Sequence, residues 1–206
     1  MGKVAVDKSV SLDGFITGPN PSPGIPLGEG GERIFAWMMA EAPGGEASSG
    51  MNAAWDELFS DAFRSTGAVV MGRKSLDIIA NPDGWVAPDG TAFDWPVFVL
   101  TYDVREQVTK GKTPFTFVSD GVESAFAKAR EVARDKNIGL HGATVAQQFL
   151  KVGLVDEIHL HVVPVLLGGD THLFDQLGID HIELEQTRIL EIPCFKHLSY
   201  RTVRDS

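Results

Sequence analysis

The sequence predicts an α/β domain with a mostly parallel central sheet, helices on both faces and an antiparallel C-terminal edge. Three observations carry that expectation. Short apolar or alternating runs recur along the chain, at 4–10, 68–71, 96–101, 115–118, 138–141 and 155–164. Helical stripes fall between several of them, and two strand-like runs, 182–190 and 194–203, close the chain around Pro193. The 206 residues are 43% hydrophobic and 22% charged, enough apolar material for one folded domain.

Val4, Val6 and Val10 alternate with Lys3, Asp7 and Ser9, the period of a strand with two unlike faces. Residues 18–31 then hold five Gly and four Pro, which rules out regular structure there. A second breaker cluster, Pro43-Gly44-Gly45 and Ser48-Ser49-Gly50, follows, with room for a short helix over 34–39. We read one domain over 1–206 with an insertion at about 18–50, serving either as a lid or as a surface excursion that stabilises an oligomer. Asn52 is placed to cap a helix carrying Trp55, Leu58, Phe59, Ala62 and Phe63 on one face. Gly72-Arg73-Lys74-Ser75 turns the strand at 68–71 into another short helix. Asp120 with Glu123 predicts a capping box for a helix striped by Val122, Ala125, Phe126 and Ala129. Thr144 with Gln147 predicts a second box for a helix over 145–152, closed by Gly153.

The formal net charge of -10 disfavours a nucleic-acid partner. No run approaches the roughly 18 apolar residues of a membrane span, and the N-terminus has no signal-peptide pattern. With Cys194 as the lone cysteine, no disulfide can form within the chain, so we expect a cytoplasmic protein.

The ligand signal lies at two strand-to-helix turns. At His141-Gly142-Ala143-Thr144, small residues admit a ligand to the backbone, and the unpaired N–H groups of a helix start favour an anion. At Gly72-Arg73-Lys74-Ser75, two cations and a hydroxyl suit phosphate. Each turn also reads as ordinary: a capped helix start in one case, solvated charges in the other.

Taken in order, Val10-Ser11-Leu12-Asp13-Gly14-Phe15-Ile16, Val70-Met71-Gly72-Arg73-Lys74-Ser75, the Gly142-Ala143 turn, Gly153-Leu154-Val155-Asp156-Glu157 and Pro164-Val165-Leu166-Leu167-Gly168-Gly169 resemble the dihydrofolate-reductase-like superfamily. Within it, the chain is similar over roughly 3–203 to the C-terminal reductase domain of the bifunctional riboflavin-biosynthesis deaminase-reductase. The resemblance implies a dihydrofolate-reductase-like fold, NADPH as cofactor, a homodimer, and hydride transfer to a small pteridine-, pyrimidine- or other heteroaromatic-like substrate. By that resemblance Gly72, Arg73, Lys74 and Ser75 meet the cofactor phosphates. Leu100, Thr101 and Tyr102 line the adenine side. Gly142, Ala143, Thr144, Val145 and Ala146 hold the pyrophosphate, and Ile16 lies near the nicotinamide.

Two residues are candidates for chemistry. Asp13 is a carboxylate just after the first strand, although Asp-Gly is also a favoured turn pair. His141 stands at a strand end beside the expected ligand, as a donor or as a satisfied polar residue under the turn. His159 and His161 share one strand face with Glu157, a possible metal spacing with Asp170 and His172 following; we read a polar sheet face and expect no metal. Trp37, Trp85 and Trp95 are candidate stacking residues, Trp85 and Trp95 as pocket walls or as interface anchors, with Trp55 assigned to the core. Two rivals to the reductase reading stand: a non-catalytic nucleotide-binding or assembly module, and a metal-dependent protein using His159 and His161.

Overall fold

The computed structural model describes residues 2–39, 58, 62–79, 85, 92–103, 105–175, 177–178, 181–192 and 195–204. The strands are β1 (Val4–Ser11), β2 (Phe15–Thr17), β3 (Thr66–Gly72), β4 (Val97–Leu100), β5 (Val108–Lys110), β6 (Thr113–Val118), β7 (Asn137–His141), β8 (Glu157–Val163), β9 (Thr171–His172), β10 (Leu184–Ile192) and β11 (Phe195–Thr202). A 3-10 turn (Gly31–Phe35) runs into α1 (Ala36–Met39); α2 (Arg73–Ile79), α3 (Val122–Ala133) and α4 (Ala143–Lys151) follow.

Nine strands form one sheet in the order β10-β11-β8-β1-β7-β3-β4-β6-β5. The strands from β8 to β6 are parallel, while β5 at one edge and the β10–β11 pair at the other are antiparallel. This is the predicted class. The small second sheet, β2 with β9, and the edge strand β5 escape prediction because each is only two or three residues long.

The run Ala68-Val69-Val70-Met71 is apolar without alternation because β3 is covered on both faces. Ala68 and Val70 pack with Val4, Val6, Ile138 and Leu140 under α3 and α4, which contribute Ala125, Ala129, Val145 and Phe149. Val69 and Met71 point the other way, into Val97, Val99, Phe115 and Leu76, with Trp85 and Trp95 packed alongside. A third cluster, Ile34, Trp37, Val163 and Phe195, ties α1 and its preceding turn to the β8 end of that second face. Trp37 is thereby a core residue, 4% exposed, and not a free stacking wall.

Both predicted capping boxes are absent. α4 starts one residue before Thr144, with Gly142 as N-cap and no side-chain cap bond. Gln147 instead donates to the carbonyls of His172 (3.2 Å) and Leu173 (3.1 Å). Gly121 replaces Asp120 as the cap of α3, and Asp120 accepts from the Ser124 hydroxyl at 2.8 Å. In both cases a glycine with positive φ lets the chain turn without a capping side chain. The end of α4 follows expectation: Gly153, at φ 67°, donates to Leu150 while Leu154 donates to Phe149, the paired bonds of a Schellman cap.

Residues 18–39 of the insertion fold back on themselves, with Gly18 N–H donating to Leu27 and Glu29 N–H to Pro19, each at 2.8 Å. Residues 40–50, Asn52, Trp55 and most of the helix expected around them lie outside the described residues, as does most of 81–91.

Candidate functional site at the carboxyl edge of the sheet

The parallel strands β1, β7, β3 and β4 end side by side, so the loops that follow them gather at one edge. Met71 pairs with His141, and Gly72 pairs with Leu100. The two turns singled out in the sequence are therefore neighbours. They approach at two points: a Cβ on Gly142 would stand 2.6 Å from the Ser75 hydroxyl, and one on Gly72 would stand 3.5 Å from Val145. Gly142, at φ 96° and ψ 144°, holds a conformation open to glycine alone, which aims the first amides of α4 out of the sheet edge.

The cations around this edge are partly engaged. Arg73 Nε donates to both Asp77 oxygens (2.8 and 3.0 Å), while its buried Nη1 lies 3.6 Å from Asp103 and makes no hydrogen bond. Lys74 is exposed and lies 3.6 Å from Asp170. Thr101 N–H donates to Val118, the Thr101 hydroxyl accepts from Asp103 N–H, and Tyr102 stands almost wholly in solvent. Ile16 sits in β2 and packs against the main core, while Thr144 is exposed and Ala143, Val145 and Ala146 are buried.

His141 ends β7 with Trp85 edge-on to its ring at 5.0 Å. Burial, reinforced by the Lys8 charge, pushes its pKa well below the usual histidine value, so the ring is neutral. Its Nδ1 is buried and has no hydrogen-bond partner. Burial lowers Lys8 itself to about 8, against the opposing pull of Asp7.

Both oxygens of Asp13 are engaged. Its carboxylate accepts from the Ser11 hydroxyl (2.5 Å), Leu167 N–H (3.1 Å) and Gly168 N–H (2.8 Å). The Ser11 bond, then the Gly168 bond, hold it at about 2. It fastens the loop after β8 to the turn after β1.

The sequence also missed a polar network on the sheet face. Asp7, His159, His161, His197 and Ser199 project from β1, β8 and β11 and are linked by hydrogen bonds. Asp170 and His172 do not join them: Asp170 pairs with Lys74, and the His172 ring packs on Phe15 at 3.7 Å. Among the described residues no group of three His, Cys, Asp or Glu is arranged to hold a metal. Strand alternation places Asp7, His159 and His161 on one face; only the register of β11 brings His197 and Ser199 to them.

The family model for the RibD C-terminal domain matches residues 2–197. The chain belongs to this family. Among solved structures, it is similar to a candidate riboflavin biosynthesis protein from Shewanella sp. PV-4, with 21% identity, TM-score 0.67, and 98% of this chain and 99% of that one covered. It is also similar to a diaminohydroxyphosphoribosylaminopyrimidine deaminase/5-amino-6-(5-phosphoribosylamino)uracil reductase from Thermotoga maritima, with 12% identity and TM-score 0.60, covering 98% of this chain but 57% of that one. A third similar structure is dihydrofolate reductase from Enterococcus faecalis complexed with NADP(H) and RAB-propyl, with 13% identity, TM-score 0.55, and 98% and 96% covered. These likenesses establish a dihydrofolate-reductase-like fold. No curated protein gives a sequence match. No described helix is long and apolar enough to cross a membrane.

Proposed function

We propose that this RibD C-terminal family member is an NADPH-dependent reductase that transfers a hydride to a small pteridine-, pyrimidine- or other heteroaromatic-like substrate. The observation that carries the reading is the meeting of the two strand-to-helix turns at Gly142 and Ser75. The residues there fit a phosphorylated dinucleotide. Gly142 leaves a cradle that a Cβ would fill, α4 offers its first amides, and Arg73 Nη1 is a buried donor without a hydrogen bond.

In this reading the amides of Gly142, Ala143, Thr144 and Val145 bind the pyrophosphate, with Ala146 packing beneath them. Gly72, Arg73, Lys74 and Ser75 bind the remaining phosphate, whose charge competes with Asp103 and Asp170 for the two cations. Leu100, Thr101 and Tyr102 flank the adenine, and Ile16 borders the nicotinamide. NADPH, when bound, supplies the hydride. His141, neutral and with Nδ1 free, orients the ligand by one hydrogen bond. Asp13 is assigned to positioning: its oxygens already accept three hydrogen bonds, so it holds the loops and donates no proton.

Isothermal titration calorimetry with NADPH and NADP+ tests the reading. Binding is expected, weakened by Arg73→Ala; binding of neither nucleotide overturns the proposal. NADPH oxidation across a panel of pyrimidines, pterins and quinones then separates a reductase from a non-catalytic module, which would bind without turnover. We also propose a homodimer, as the family resemblance implies. Light scattering checks it.

A further inference from the structure

β7, β3 and β4 are consecutive and parallel in the sheet, so the loops that leave their carboxyl ends stand in a row. The row runs from Gly142 after β7, through Arg73 after β3, to Thr101, Tyr102 and Asp103 after β4. Two strand spacings, about 10 Å, separate its ends. In the reading above the Gly142 turn holds the pyrophosphate, and an adenosine extending from it along the row reaches the loop after β4.

Asp103 stands at the far end of that row, held by its own backbone. Its N–H donates to Thr101 Oγ1 at 3.1 Å, and Thr101 N–H donates to the Val118 carbonyl at 3.0 Å, which ties the turn to β6. The side chain is 66% exposed. Its two oxygens differ. Oδ2 faces two guanidinium groups: Arg105 Nη2 donates to it at 3.3 Å, and Arg73 Nη1 lies 3.6 Å away. Among the described residues no donor reaches Oδ1. On the other side of Arg73, both Asp77 oxygens accept from Nε, at 2.8 and 3.0 Å, and set the plane of the guanidinium. Nη1 is buried beside Asp103 and makes no hydrogen bond. Charge along this edge is balanced: Arg73, Arg105 and Lys74 face Asp77, Asp103 and Asp170. An edge dedicated to phosphate would instead carry a surplus of cations.

We propose that Asp103 sets coenzyme selectivity and that the chain accepts NADH as well as NADPH. The proposal rests on the reductase reading above. The two coenzymes differ only at the adenosine 2′-position, a hydroxyl in NADH and a phosphate of charge about -1.5 to -2 in NADPH. A carboxylate against the ribose favours the hydroxyl, and an arginine favours the phosphate. Here the two residue types form one ion pair, so each coenzyme meets both. With NADH, Asp103 Oδ1 accepts from the 2′-hydroxyl while Oδ2 stays with Arg73 and Arg105. With NADPH, the phosphate engages Arg73, and the Asp103 carboxylate must withdraw against like-charge repulsion and the loss of its own pairing. Each coenzyme gains one partner and forgoes the other, so the margin between them is small. Asp103 is the residue that narrows it.

Calorimetric titration of the full chain with NADPH and with NADH tests this, and 2′,5′-ADP against ADP reads the adenosine end alone. The wild type is expected to prefer NADPH by less than about a hundredfold, the margin that two unopposed charge-assisted bonds to a phosphate would give. Asp103→Asn keeps the shape and removes the charge. It is expected to raise the preference for NADPH by about tenfold or more, chiefly by tightening NADPH. Asp103→Ala removes the acceptor as well and is expected to weaken NADH by about tenfold. The preference for 2′,5′-ADP over ADP is expected to move with the preference for NADPH over NADH. Because Asp103 is exposed, both variants are expected to melt with the wild type. A wild-type preference above about a hundredfold, or a ratio unchanged in Asp103→Asn, overturns the proposal while the reductase reading stands. Failure of the wild type to bind NADPH overturns both.

Discussion

Gly142→Ala probes the contact on which the cofactor reading rests. Two costs add at this position. The backbone at φ 96° and ψ 144° belongs to a region that alanine enters at about 1–3 kcal/mol. The new methyl would lie 2.6 Å from Ser75 Oγ, and crowding of this kind costs about 1–3 kcal/mol more. At about 2–4 °C per kcal/mol for a chain of this size, melting is expected to fall by roughly 5–20 °C. NADPH affinity is expected to drop at least about tenfold, since the amides of α4 must turn away to relieve the clash. Gly153→Ala is the control: φ is 67°, nothing lies within 4 Å of its added Cβ, and only about 1–2 kcal/mol of backbone cost applies. Adding Ser75→Ala to Gly142→Ala removes the clashing oxygen and is expected to recover the crowding part of the stability loss, leaving the backbone part. Thermal melts and NADPH calorimetry on the single and double variants read both effects. If Gly142→Ala melts no lower than Gly153→Ala, or if Ser75→Ala recovers nothing, the two turns do not touch as described and the reasoning fails.

Three further expectations follow from the same structure. Asp13 is depressed to about 2, so its tie to Leu167 and Gly168 contributes stability above the unfolded carboxylate value near 4 and loses it as pH falls toward 2. Asp13→Asn should flatten the acid limb of a melting-temperature profile between those values. His197 is depressed to about 4, so the unfolded chain binds the extra proton first; stability is full above about 6.5 and declines as pH falls toward 4. His197→Gln should remove that slope, and an unchanged profile would count against the buried neutral ring. Gln147→Ala removes the two bonds to the carbonyls of His172 and Leu173, so a loss of about 1–3 kcal/mol is expected in denaturant unfolding.

The apolar periodicities made the parallel sheet and its helices legible, because a buried β3 and the stripes of α3 and α4 must show in composition. Gly153 was legible for the same reason: a helix end with a left-handed residue selects glycine. The caps of α3 and α4 were misread, since Thr144 with Gln147 and Asp120 with Glu123 are equally good local pairings. Tertiary contacts drew Gln147 to the carbonyls of His172 and Leu173 instead.

The sequence by itself placed small and cationic residues at His141-Gly142-Ala143-Thr144 and Gly72-Arg73-Lys74-Ser75, because a strand-to-helix turn open to an anion is a local matter of backbone freedom and charge. Only the tertiary structure decided that these turns adjoin, that Asp13 is locked by the loop after β8, and that Asp7 heads a line of histidines. Those facts depend on strand order and register, which bring together residues far apart in the chain, such as Ser75 with Gly142 and Asp7 with His161.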